Sequence, residues 1–163
     1  MLTRRSLLWV WASGMVGLFT SSAAERARAA ERTRLAVVVA KSSRVEGLSL
    51  AQLRRAFLGD PLELAGKNVN PVNRANGTKE RTGFDSIVLG MSPEEVPRYW
   101  IDRKIRGQSG APKAVEPSEL HQRVVAKVDG GIGYVIPSEV RDDVKVVRVD
   151  GKLPNEKGYP IEF

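Results

Sequence analysis

Four short runs rich in β-branched residues, separated by segments of helical period, constrain this fold more than any other feature. Residues 35–40 (Leu-Ala-Val-Val-Val-Ala) are continuous and apolar, the pattern of a strand buried on both faces. Residues 69–72 form a short extended piece, 132–136 a second continuous run, and 144–149 an alternating one. Between them, Ser49 opens a helix with Leu50, Leu53, Phe57 and Leu58 at helical spacing, and Gly59 stops it. A second helix after Thr78 carries Phe84, Ile87 and Val88 on one face and ends at Gly90. Ser92-Pro93-Glu94-Glu95 has capping-box spacing and starts a third, with Val96, Tyr99, Trp100 and Ile105 continuing it past a disturbing Pro97. Ser118 begins a fourth, with Leu120, Val124, Val125 and Val128 predicted to point inward. Gly130-Gly131 closes that helix before the next strand, Asp150-Gly151 makes a turn, and 152–163 reads as a peripheral tail. Strands alternating with helices predict an α/β domain with a mixed sheet flanked by helices.

The first residues have a different character. Arg4 and Arg5 precede an uncharged apolar run at 7–19, and small residues follow up to Ala29. This is the layout of a secretory signal peptide over residues 1–29, cleaved after Ala24 or Ala29, and Thr3-Arg4-Arg5-Ser6-Leu7-Leu8 resembles a twin-arginine export signal. The run is short for a membrane span, so export is expected rather than stable insertion, with residues 30–163 as the mature domain in the periplasm or another exported location. The chain has no cysteine, which excludes disulfides, thiol catalysis and thiolate metal sites. Its formal charge is +7; loss of residues 1–29 removes four Arg and one Glu and leaves +4. A mildly basic exported domain suits an anionic ligand or an acidic surface better than nucleic acid.

The chemistry-bearing residues cluster at one place. In Pro71-Val72-Asn73-Arg74-Ala75-Asn76-Gly77-Thr78-Lys79-Glu80-Arg81 a turn, a hydroxyl and two guanidinium groups crowd a helix start. Its first backbone N–H groups lack intrahelical partners, and the helix dipole favours negative charge there. Arg74, Asn76, Gly77, Thr78 and Arg81 are therefore the candidate oxyanion-binding residues, with ordinary helix capping as the bland alternative. Ser42 and Ser43, in the loop after the first strand, are expected to add hydroxyl donors to the same site. His121, the only histidine, is read as a surface or boundary residue, and Tyr99 and Trp100 as core. The glycines at 130, 131 and 133 precede a strand rather than follow one, so a dinucleotide loop is rejected. No catalytic pair, cofactor motif or metal-ligand spacing is present in the sequence.

The order of these segments resembles the phosphate-type periplasmic solute-binding proteins. The stretch from Leu48-Ser49 to Phe57-Leu58-Gly59 resembles that family's L-S-x-x-x-L-x-x-I-F-x-G helix, and Pro71-Val72-Asn73-Arg74 followed by Gly77-Thr78 resembles its phosphate loop. Phe84 falls where the loop helix carries its Phe, Tyr99-Trp100 suits short single-domain members, and Gly131-Ile132-Gly133-Tyr134-Val135 is similar to a G-A-I-G-Y-V strand. The resemblance implies a type 2 periplasmic-binding-protein fold and a non-enzymatic role binding phosphate or a related oxyanion for an ABC permease. It carries Arg74, Gly77 and Thr78 onto the loop's Arg, glycine and hydroxyl, and Arg81 suits the short members. Ala75, Lys79 and Glu80 replace further hydroxyl and glycine positions of the full-length loop. Full-length relatives clamp ligand between two lobes, so a chain of this length implies weak binding unless a homodimer or another protein covers the site. The alternative is an envelope sensory or protein-interaction subunit that kept the fold and lost tight binding.

Overall fold

The computed structural model describes residues 33–163; the leader assigned to 1–29 lies outside the described residues. The chain runs β1 (Ala36–Ala40), β2 (Gly47–Leu48), α1 (Leu50–Phe57), β3 (Glu63–Leu64), β4 (Lys67–Asn68), β5 (Asn70–Asn73) and α2 (Lys79–Phe84). It continues through a π-helical turn (Asp85–Leu89), α3 (Glu95–Ile105), β6 (Lys113–Ala114), α4 (Ser118–Lys127), β7 (Gly131–Val135), β8 (Val144–Val146) and β9 (Arg148–Val149). A five-stranded mixed sheet has the order β6-β5-β7-β1-β8. β5 is parallel to both β6 and β7, whereas β1 is antiparallel to β7 and β8. This is the mixed, helix-flanked α/β sheet read from the sequence.

Strand alternation builds two cores. Val37 and Val39 of β1, with Ile132 and Tyr134 of β7, face Leu53 and Phe57 of α1 and Phe84, Val88 and Leu89. Ala36, Val38, Val72 and Val135 face Val125 of α4 on the other side. Gly133 also faces α4: a Cβ there would lie 2.4 Å from His121 Cε1. His121 is therefore fully buried and is no surface residue, because the missing side chain on β7 makes room for its ring. Its Nε2 donates to the Val72 carbonyl (3.0 Å), which leaves Nδ1 as an unpartnered acceptor.

Several details depart from the sequence reading for identifiable reasons. On α4 the buried residues are His121, Gln122 and Val125, while Leu120 is exposed. Gln122 is satisfied by the Glu139 carbonyl (2.9 Å) and the Arg141 amide (2.9 Å), so this polar side chain sits on the inner face with both ends of its amide hydrogen-bonded. The π-turn inserts a residue into the helical period, turning Ile87 out to 37% exposure and burying Val88 and Leu89. Gly90 ends it in the left-handed region. The expected reciprocal bonds form in the turn just ahead of α3, Ser92 N donating to Glu95 Oε2 (2.7 Å) and Glu95 N to Ser92 Oγ (3.3 Å), although the N-cap of the helix itself is Glu94, which makes no side-chain cap bond. Ile105 on that helix is 80% exposed rather than packed. The last run divides between two sheets, β8 in the main sheet and β9 pairing parallel with β2.

Residues 152–163 are not peripheral. Tyr159 and Ile161 belong to the larger core, and Tyr159 Oη donates to the Leu35 carbonyl (2.8 Å). Thr33 and Phe163 exchange backbone hydrogen bonds (2.7 and 3.0 Å), so the last residues lie beside the start of β1. The Tyr159, Ile161, Phe163 alternation carries this strand-like seating.

Candidate functional site

The carboxyl ends of the parallel strands β5 and β7 lie side by side, and the chain leaves β5 there into the Asn76-Gly77 turn and α2. Gly77 has φ +87°, a left-handed conformation that suits glycine. Thr78 is the N-cap of α2: its Oγ1 accepts from the Arg81 amide (3.3 Å) and donates to the Ala75 carbonyl (3.0 Å). The hydroxyl is thus engaged locally, while Lys79 and Glu80 occupy the positions whose amides have no intrahelical acceptor.

Both guanidinium groups are buried and each has a carboxylate partner. Arg74 makes a two-point pair with Glu116, Nε to Oε1 at 2.6 Å and Nη2 to Oε2 at 2.9 Å, and the Ala75 amide adds a third bond to Oε1 (3.2 Å). The Arg74 hydrogen bond holds the Glu116 carboxyl below the usual carboxylate range. Burial pulls the Arg74 guanidinium down, but the bond and charge of Glu116 carry it above its ordinary value. Arg81 Nε donates to Asp85 Oδ2 (2.6 Å), and its Nη1 donates to the Arg74 carbonyl (3.2 Å), tying α2 to the end of β5. Burial raises the Asp85 carboxyl above its usual range, outweighing the Arg81 bond and charge. Arg74 Nη1 and Asp85 Oδ1 are buried without partners.

Beneath the loop, Tyr134 Oη donates to Asn73 Oδ1 (2.5 Å), and the Tyr134 ring stacks on Phe84 with centroids 3.9 Å apart. Burial pushes the Tyr134 phenol above its ordinary value. Outside the loop lies a recess of about 460 Å³. Asn76, Gly77, Arg81 and Asp85 form one wall, and Pro97 and Trp100 stand opposite. Trp100 is only half-buried and borders this recess, so it is not the closed core residue expected from helical spacing.

The structure brings Arg74, Asn76, Gly77, Thr78 and Arg81 together, but not Ser42 and Ser43. β1 is antiparallel to β7 and β5 parallel to it, so the carboxyl end of β1 lies beside the amino ends of β5 and β7. The two serines therefore border a different cavity at the opposite end of the sheet. Expecting every loop that follows a strand to meet at one edge required a parallel β1, which this sheet does not have. The sequence reading also missed Glu116 and Asp85. Asp85 was accessible as an i,i+4 partner of Arg81. Glu116 lies 42 residues from Arg74 and had no local signal.

No protein-family profile matches the chain. Its structure is similar to phosphate-type substrate-binding proteins. A Clostridium perfringens protein assigned as a phosphate ABC transporter substrate-binding protein, with phosphate bound, superposes at a TM-score of 0.62 and 22% identity, over 80% of this chain and 53% of that one. An ABC-type phosphate transport receptor from Vibrio cholerae gives 0.65 and 16% over 80% and 54%, and PstS of Borrelia burgdorferi 0.60 and 12% over 80% and 55%. The chain thus has the α/β fold that the motif order implied, and it spans about half the length of these structures. Among the described residues no helix is long and apolar enough to cross a membrane, and no group of His, Asp or Glu could hold a metal ion.

Proposed function

We propose that this protein is an exported, non-enzymatic solute-binding protein whose β5–α2 junction takes phosphate or a related oxyanion, serving an ABC-type permease. The observation that carries the reading is the seating of Arg74, Gly77, Thr78 and Arg81 at one helix start, in a fold shared with a phosphate-bound substrate-binding protein. The anion would meet the open amides of the first turn of α2, the Asn76-Gly77 turn and the recess face of Arg81. Glu116 and Asp85 cancel much of the positive charge that Arg74 and Arg81 bring, and the site stays open to solvent. Affinity of the isolated chain is accordingly weak, on the order of millimolar. Amide NMR titration with phosphate and sulfate tests this. Saturable shifts confined to residues 74–82, weakened at least about tenfold by Arg81→Gln, are expected from loss of a charge-assisted contact. A chain indifferent to both anions would instead favour the sensory or interaction subunit.

A further inference from the structure

The cavity at the other end of the sheet has chemistry of its own. Its volume is about 660 Å³, within the range of small-molecule sites. Three separate segments wall it: the loop after β1, the β3–β4 hairpin, and the end of α4 running into β7. The hairpin closes on itself, and the strand that follows it is fastened to the end of α4. The Asn70 amide donates to the Gly130 carbonyl (2.8 Å), Asn70 Nδ2 to the Asp129 carbonyl (2.7 Å), and Val69 N to the Leu62 carbonyl (2.8 Å). The cavity is thus part of the folded framework.

Floor and rim differ sharply. Half-buried Val45, Leu64 and Val69 supply an apolar floor that packs on the larger core. Arg44, Lys67 and Lys127 stand at the rim with a single carboxylate, Asp129, which pairs with Lys67. Arg44 and Lys127 make no ion pair among the described residues and are exposed. Three cations against one carboxylate leave a surplus of two positive charges, whereas Arg81 and Asp85 cancel at the β5–α2 recess. The exposed Ser42 hydroxyl adds a neutral donor.

We propose that this cavity is a second ligand site, for a small amphipathic anion: a phosphate monoester or carboxylate carrying a short apolar chain. A bare oxyanion leaves the floor unused, and an uncharged apolar molecule leaves the rim unused. The inference does not depend on the oxyanion reading of the β5–α2 junction.

Titration of the labelled protein with hexyl phosphate, inorganic phosphate and hexanol tests it. Hexyl phosphate is expected to shift the amides of residues 42–45, 64–67 and 127–131 saturably, at least about tenfold more tightly than either control, a margin worth about 1.4 kcal/mol. Arg44→Ala combined with Lys127→Ala is expected to weaken hexyl phosphate about tenfold, leaving the response of residues 74–82 to inorganic phosphate unchanged. Sedimentation with phosphatidylglycerol vesicles, lost in the same double variant, identifies a lipid headgroup as the natural source; binding in solution without sedimentation identifies a free monoester. Equal response to inorganic phosphate, no response in these segments, or wild-type affinity in the double variant overturns the proposal.

Discussion

Gly133 and His121 show how one residue's absent side chain decides another's fate. With a Cβ at 133 only 2.4 Å from the imidazole and 2.7 Å from Val125 Cγ2, Gly133→Ala overfills the layer between β7 and α4. It is expected to lower stability by about 1–3 kcal/mol in urea denaturation. The buried imidazole also carries a pH signature. Burial depresses the His121 pKa below 6.5, against the Val72 hydrogen bond, with Arg74 depressing it further and Glu116 opposing. The unfolded chain therefore binds the proton more readily, so stability is full above pH about 6.5 and declines as pH falls below it. His121→Gln removes that slope; wild-type denaturation midpoints equal at pH 7 and 5 would contradict this reading. Ala65 sits at φ +52° beside Gly66 in the β3–β4 turn. Ala65→Gly should raise stability by up to about 1 kcal/mol by relieving left-handed strain.

Among the elements, the closing segment most changes the picture. Ile161 is fully buried, and the backbone beside it joins Thr33 and Leu35 to residues 161–163. Ile161→Ala is expected to cost about 2–5 kcal/mol, as for other buried Ile truncations, whereas a loose tail would register almost nothing. The π-turn after α2 is a similar case. It rotates Leu89 inward, and its carbonyl takes the Arg54 guanidinium (2.8 Å), which no 3.6-residue pattern anticipates. Helix starts were better marked: Ser49 caps α1 as read, with Gln52 completing the box, and Ser92 with Glu95 closes the reciprocal bonds that its spacing implied.

At the scale of the molecule, the oxyanion binding proposed at the β5–α2 junction predicts only a small gain in stability. A ligand binding only the folded state at a dissociation constant of about 1 mM adds roughly 1.4 kcal/mol at 10 mM. Phosphate at that concentration should thus raise the melting temperature by only a few degrees, and less as sodium chloride is added. A shift of ten degrees or more would mean that the chain completes its own site, for instance by pairing with a second copy.

Capping boxes, β-branched runs, the Asn76-Gly77 and Asp150-Gly151 turns and the Thr78 cap were determined by the sequence alone, because each depends on residues within four or so positions of one another. The order of motifs around Arg74 and Thr78 was legible for the same reason. Only the tertiary structure decided what those groups meet. Glu116 reaches Arg74 from 42 residues away, and β1 runs antiparallel to β7, sending Ser42 and Ser43 to the far end of the sheet. Strand direction and long-range charge pairing are settled by how layers close over a shared core, and no local spacing records that choice.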